Sequence, residues 1–369
     1  MSSFREACQR IYKSLVLSAN RFSEGVLLRK QIERLYLVMG GHIFFQTLSA
    51  AVELDLFTLL SKNRRMTLAE IASQLNLATK PVRILLLGLV TLDLVKKKGE
   101  YYRNSKLADL LLTRHSKRNI LAVIRWQHHI NYKAMFHFHD AIKANANVGL
   151  KEFSGDEPFL YGRLTHHPEL EQIFQDAMED ISIQANSLLA RFVDFSPYKY
   201  LIDVGGGNAT NIIALAKKYP HLRASVFDSP TVCEIARKNI QAAGLADRLS
   251  AIEGNCFETP FPEDADCILF CHFFTIWSEE NNLKLLKKCY ESLRPGGAAM
   301  VFHMMQNDAE DGPFSAAMGS PYFLTLATGE GMLYTWKEYE SWMRQAGFPT
   351  VQRQVLIRDH GAIIGIKDG

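Results

Sequence analysis

Leu201-Ile-Asp-Val-Gly-Gly-Gly-Asn-Ala-Thr210 is the stretch that decides the fold. An apolar run ends in an acid, three glycines follow, and a helix start comes next. Glycine lets a backbone turn tightly and leaves room for a ligand against the main chain. A second apolar run, Ala224-Ser-Val-Phe-Asp228, ends in another acid some twenty residues on. An acid at that offset commonly holds a ribose diol. The pair predicts a strand–turn–helix–strand unit that binds a nucleoside-bearing cofactor.

Strand and helix signals alternate on either side of this unit. Strands are predicted at Tyr200–Val204, Ala224–Phe227, Leu249–Glu253, Cys267–Phe270 and Ala298–Phe302, with a C-terminal pair at Thr350–Ile357 and Gly361–Ile366. Helical segments between most of them imply a mostly parallel sheet covered on both faces, a Rossmann-like α/β domain over 197–369. Pro197 marks its entry.

The first 115 residues read differently. Helices are expected from about Phe4 to Arg34 and, unbroken, from Gly40 to Phe57. Thr67 and Glu70 form a capping box before the next helix, and Pro81 opens another that reaches Leu92. Two short strands about Gly99 follow. Helices and then a hairpin is the order of a winged helix, which raises DNA binding. The last helix, Lys80-Pro-Val-Arg-Ile-Leu-Leu-Leu-Gly-Leu-Val90, is too apolar to read a groove. Burial against another subunit explains it better. Between these parts, 116–196 reads as a helical middle region rich in aromatic and histidine side chains.

The chain has 369 residues, 47% of them hydrophobic, with a formal charge of +3. That is room for more than one domain and a sizeable core. The small charge gives no reason to expect nucleic acid as a partner. No apolar run reaches the length of a membrane span, so no membrane partner is expected. The six cysteines show no metal-type spacing, so reduced thiols in a cytoplasmic protein are expected. His128, His129, His137 and His139 lack carboxylate partners at helical spacing other than Asp140, so no metal is expected.

A dinucleotide site would need a third glycine where Thr210 stands. Taken together, Asp203-Val-Gly-Gly-Gly207, Phe227-Asp-Ser-Pro230, Gly254-Asn-Cys-Phe257, Trp277-Ser-Glu-Glu280 and Leu293-Arg-Pro-Gly-Gly297 resemble the S-adenosylmethionine-dependent small-molecule O-methyltransferases of the caffeic acid and acetylserotonin type. The resemblance runs from about Gly40 to Ile366. It implies a homodimer joined through the N-terminal winged helix, whose helices help close the partner's pocket. It implies that Gly205 and Gly207 lie against the methionine part of the cofactor and that Asp228 takes the ribose hydroxyls. Asn255 stands where the family usually has Asp beside the adenine, Phe257 is placed to cover the adenine face, and Cys271 stands where plant members often have Lys. Asp203 and Cys256 complete the cofactor set.

At the reacting centre the chain departs from that family. The histidine that serves as general base for hydroxyl methylation is here Thr275, in Thr275-Ile-Trp277. The flanking glutamates of plant members fall at His303 and near Leu333. Three readings stay open. The first is methyl transfer with another base, His303 first and His272 second. The second is methylation of a phenolic ring carbon, which needs no base beside the methyl group. The third is a cofactor-binding enzyme that does other chemistry, as pericyclase-like relatives of the fold do. The missing base inclines the reading to carbon. A flat acceptor pocket is expected from Trp126, His129, Tyr132, Phe136, Met178, Phe274, Met304, Tyr322, Phe323, Leu326 and Tyr334.

Overall fold

The computed structural model describes residues 28–357 and 359–369. The helix expected from Phe4 to Arg34 lies largely outside them; from Leu28 to Met39 the chain is helical. The chain divides into two compact units, one ending at Ile124 and one spanning Arg125–Gly369.

The first unit packs helices Gly41–Glu53, Leu56–Asn63, Leu68–Gln74 and Thr79–Thr91 around a small sheet. Its strands are β1 (Met66–Thr67), β2 (Val95–Lys98) and β3 (Tyr101–Asn104), in the order β1-β3-β2. The stretch expected as one helix from Gly40 to Phe57 is two helices. Asp55 adopts a left-handed conformation, φ 52°, and restarts the chain at Leu56. The apolar spacing continues across the break, which hides it from periodicity. The Thr67–Glu70 capping box forms in both directions. Val82, Leu86 and Leu89 bury one stripe of Thr79–Thr91, while Ile84 and Leu87 stand exposed on the opposite side.

In the second unit a seven-stranded sheet has the order β6-β5-β4-β7-β8-β10-β9. Its strands are β4 (Tyr200–Val204), β5 (Arg223–Asp228), β6 (Leu249–Glu253), β7 (Cys267–Cys271), β8 (Ala298–Met304), β9 (Thr350–Val355) and β10 (His360–Ile366). Strands β4 to β8 pair in parallel, and β10 runs antiparallel between β8 and β9. Both faces of the central strands are buried, as their unbroken apolar runs require, while the edge strands β6 and β9 are partly exposed. Ile202, Val204, Ile268, Phe270, Ala299 and Val301 face one core; Leu201, Leu269, Met300 and Phe302 face the other. This is strand alternation at work. The order reverses between β4 and β7, which opens a crevice beyond their carboxyl ends.

Candidate active site

The crevice is built first by the turn after β4. Gly205 (φ +70°) and Gly207 (φ +58°) adopt backbone conformations that L side chains rarely tolerate. A Cβ on Gly205 would lie 2.3 Å from the Phe273 ring, so the turn after β7 presses directly on this loop. Beside Gly207 there is open space. Gly205 N donates to Phe227 O at 2.9 Å, which fixes the loop against the end of β5.

Asp228 ends β5. Its Oδ2 accepts from Gly207 N at 3.1 Å and its Oδ1 from Ser229 N at 2.7 Å. Burial raises its pKa, and these two amides pull it back. A carboxylate offers about four acceptor positions, so Asp228 keeps capacity for a ribose hydroxyl. Asp203 lies beneath the loop, fully buried, with Oδ2 accepting from Asn211 Nδ2 at 3.1 Å. Its Oδ1 has no partner, and burial pushes its pKa up to about 7. An open glycine, an unpaired buried carboxylate oxygen and a half-satisfied Asp228 suit a cofactor carrying an ammonium group and a ribose.

The adenine-side residues sort unevenly. Asn255 is exposed, and its Oδ1 accepts from Phe257 N at 3.0 Å, leaving a second lone pair. Phe257 packs edge-on against Trp277 at 4.9 Å. Burial pushes the Cys256 thiol up to about 11, and its carbonyl holds Lys288 Nζ at 2.7 Å. Cys271 corrects the expectation of a residue facing the cofactor. Strand alternation turns it into the core beside Leu269, where its thiol faces Asn186 Oδ1 at 3.9 Å.

On the other side of the crevice, β7 stops at Cys271. His272 follows with φ 54°, then the tight turn Phe274–Ile276. Asn282 Nδ2 holds that turn through Phe274 O at 2.9 Å. Thr275 is 0% exposed, and its Oγ1 lies 3.0 Å from His303 Nε2. His303 Nδ1 lies 3.0 Å from Met304 O, a group that only accepts. His303 therefore carries its proton on Nδ1, and Thr275 donates to Nε2. Burial pushes His303 down to about 3, with His360 adding to the effect. It is a neutral, buried, fully bonded ring rather than the accessible base expected first, because its one free lone pair is already taken.

His272 differs. Its ring is half-buried, and its Nε2 is enclosed without a partner. It packs at 4.5 Å on His303 and 5.4 Å on His360. Burial, then the two neighbouring histidines, hold its pKa well below the usual value. His360 comes from the antiparallel strand β10, opposite Met304, and stacks on Phe302 at 5.5 Å. Sequence reasoning missed it, since nothing local announces that β10 pairs with β8. The three rings do not gather as a metal site.

Of the expected acceptor wall, Trp126 and Tyr322 meet edge to face at 5.2 Å, and Phe323 adjoins Tyr322 at 5.2 Å. His129, Tyr132, Met178 and Met304 are half-buried, and Leu326 is buried within a π-helical turn. Three expectations need correction. Phe136 is 86% exposed on the surface. Phe274 and Tyr334 belong to the core: Phe274 packs at 4.5 Å on Phe270, and Tyr334 donates to Trp277 O at 2.7 Å while meeting Trp342 edge to face. Tyr161 was missed; its hydroxyl meets that of Tyr322.

A mainly parallel sheet with a glycine crevice and an acid on the next strand defines a nucleoside-cofactor enzyme of the methyltransferase fold. Residues 136–349 match the O-methyltransferase domain and residues 36–114 the O-methyltransferase dimerisation domain. L-tyrosine C(3)-methyltransferase of Streptomyces lavendulae is 36% identical over 341 residues, 91% of this chain and 93% of that protein. Acetylserotonin O-methyltransferase of Bos taurus is 28% identical over 334 residues, 89% of this chain and 95% of that one. Among solved structures, the S-adenosylmethionine-dependent methyltransferase SibL in its apo form superposes with a TM-score of 0.81 at 35% identity, covering 91% of this chain and 99% of that one. The chain belongs to the O-methyltransferase family and is an S-adenosylmethionine-dependent methyltransferase.

Proposed function

We propose that this enzyme methylates a ring carbon beside the hydroxyl of a small phenol. The observation that carries this is Thr275: the position of the usual oxygen-side base is a buried hydroxyl already donated to His303. The tyrosine C(3)-methyltransferase relative favours the same reading. S-adenosylmethionine, when bound, supplies an electrophilic methyl group on sulfur. Gly205 and Gly207 make room for its methionine portion, Asp228 takes its ribose hydroxyls, and Asn255 and Phe257 meet its adenine.

His272 is the residue assigned to the acceptor's hydroxyl. It follows the end of β7 beside the glycine loop, and burial, with its two histidine neighbours, keeps it neutral at physiological pH. As the methyl group bonds to the ring carbon the hydroxyl becomes strongly acidic, and its proton then passes to the His272 ring. The proton on the methylated carbon then leaves to solvent, and His272 returns its own to oxygen. One proton is released overall.

The N-terminal unit is read as a winged helix that joins two copies of the chain. Exposed Ile84 and Leu87, with exposed Leu35, Val38, Met39 and Ile43, form the apolar surface for it. The free cysteines among the described residues fit a reducing cytoplasmic setting.

Incubation with methyl-labelled cofactor and L-tyrosine tests the reaction. A product with the label on the ring carbon beside the hydroxyl is expected. A label found on oxygen replaces this reading with O-methylation, and a product formed with the label still on the cofactor replaces it with other chemistry.

A further inference from the structure

Two π-helical turns in the second unit are joined at their entrances. One spans Gln127–Asn131 and follows Trp126; the other spans Phe323–Ala327 and follows Tyr322. Such turns concentrate at functional sites. The Trp126 and Tyr322 rings meet edge to face at 5.2 Å. Trp126 is 8% exposed, yet its indole Nε1 has no hydrogen-bond partner, and the phenol oxygen of Tyr322, 9% exposed, has only the Tyr161 hydroxyl beside it. Thr325 Oγ1, inside the second turn, is also buried and unpaired. A buried polar group left unpaired costs about 1–3 kcal/mol. A cluster of them calls for a partner from outside the chain.

The place suits an acceptor. Thr328, just past the second turn, donates its hydroxyl to Ile276 O, on the turn that carries Thr275. The chemistry is equally restrictive. An indole N–H only donates, so its partner must carry an accepting atom. Arg163, near Tyr161, gives its side chain to the carbonyls of Glu157, Leu150 and Phe153. The indole N–H and the hydroxyls named here are neutral donors.

We propose that Trp126 Nε1 and the Tyr322 hydroxyl form a subsite for a hydrogen-bond-accepting oxygen on the acceptor's substituent, away from the ring that is methylated. The enzyme thereby selects phenols whose tail carries a carbonyl or carboxylate. This rests on the acceptor being a substituted phenol, but not on which of its atoms takes the methyl group.

The test is equilibrium binding of tyramine, L-tyrosinamide and L-tyrosine to the full-length enzyme loaded with S-adenosylhomocysteine. The two oxygen-bearing tails should bind about ten-fold tighter than tyramine, the worth of one or two neutral hydrogen bonds. Trp126→Phe and Tyr322→Phe should each erase most of that advantage while leaving S-adenosylhomocysteine affinity unchanged, which also shows that the variants fold. Preference for tyrosinamide and tyrosine alike identifies a carbonyl site; preference for tyrosine alone identifies a carboxylate site. Equal binding of all three by the wild type, an advantage that survives both substitutions, or no binding of any at millimolar concentration overturns the proposal. O-methylation found in the labelling experiment would leave this result untouched.

Discussion

The two banks of the crevice are built by opposite means. On the β4–β5 bank, backbone shapes the site: Gly205 and Gly207 in left-handed conformations, with amides of Gly207 and Ser229 on Asp228. On the β7–β8 bank, side chains do it: His272, His303 and His360 packed ring on ring, and Thr275 locked to His303. Backbone geometry tolerates few replacements and is shared by proteins that bind the same cofactor. A stack of side chains can be exchanged residue by residue. The difference teaches where a methyltransferase changes its chemistry without losing its methyl donor.

Substitutions on each bank sharpen that contrast. The largest effect is expected from His272→Ala, a fall in kcat of about 10²–10⁴ with cofactor affinity preserved. Near-native turnover would return the hydroxyl to another residue. Asp228→Ala should weaken cofactor binding about 100-fold, as two charge-assisted hydrogen bonds are worth that much. Titration calorimetry reads it, and unchanged affinity would refute the ribose assignment. Thr275→Val should cost about 1–3 kcal/mol of stability by stranding His303 Nε2, with kcat within a few-fold of wild type. A collapse of kcat without loss of stability would make Thr275 a participant in the reaction.

The smallest effect concerns pH. His303 is held near 3 in the fold, below its unfolded value of about 6.5. Its contribution to stability is therefore present above about pH 6.5 and is lost as pH falls toward 3. Asp203, raised to about 7, works the other way: its contribution is full below about pH 4 and is lost as pH rises through 7. Thermal melts of His303→Gln should show a shallower acid limb than the wild type between pH 6 and 4. An unchanged limb would mean that other groups carry it.

The same contrast explains what could be read in advance. The strands of the second unit fall within a residue or two of their expected ends, because apolar runs bounded by turn residues fix them locally. The glycine loop was legible because left-handed backbone leaves its mark in residue type. The acceptor bank was not. Thr275 and His303 meet only because β7 and β8 are neighbours, and His360 arrives from a strand whose partner no local signal names. Aromatic composition could not separate Tyr334 in the core from Tyr322 beside Trp126. Phe136 looked like wall and stands on the surface, since a helical stripe does not announce which side is covered.

Phe273 bridges the two banks. Its ring fills the space a side chain on Gly205 would need, so the loop after β4 cannot shift toward β7 without moving the residue next to His272. A donor that moves this loop would therefore move His272 with it, and the expected kinetic outcome is a compulsory order, with the donor entering before the phenol.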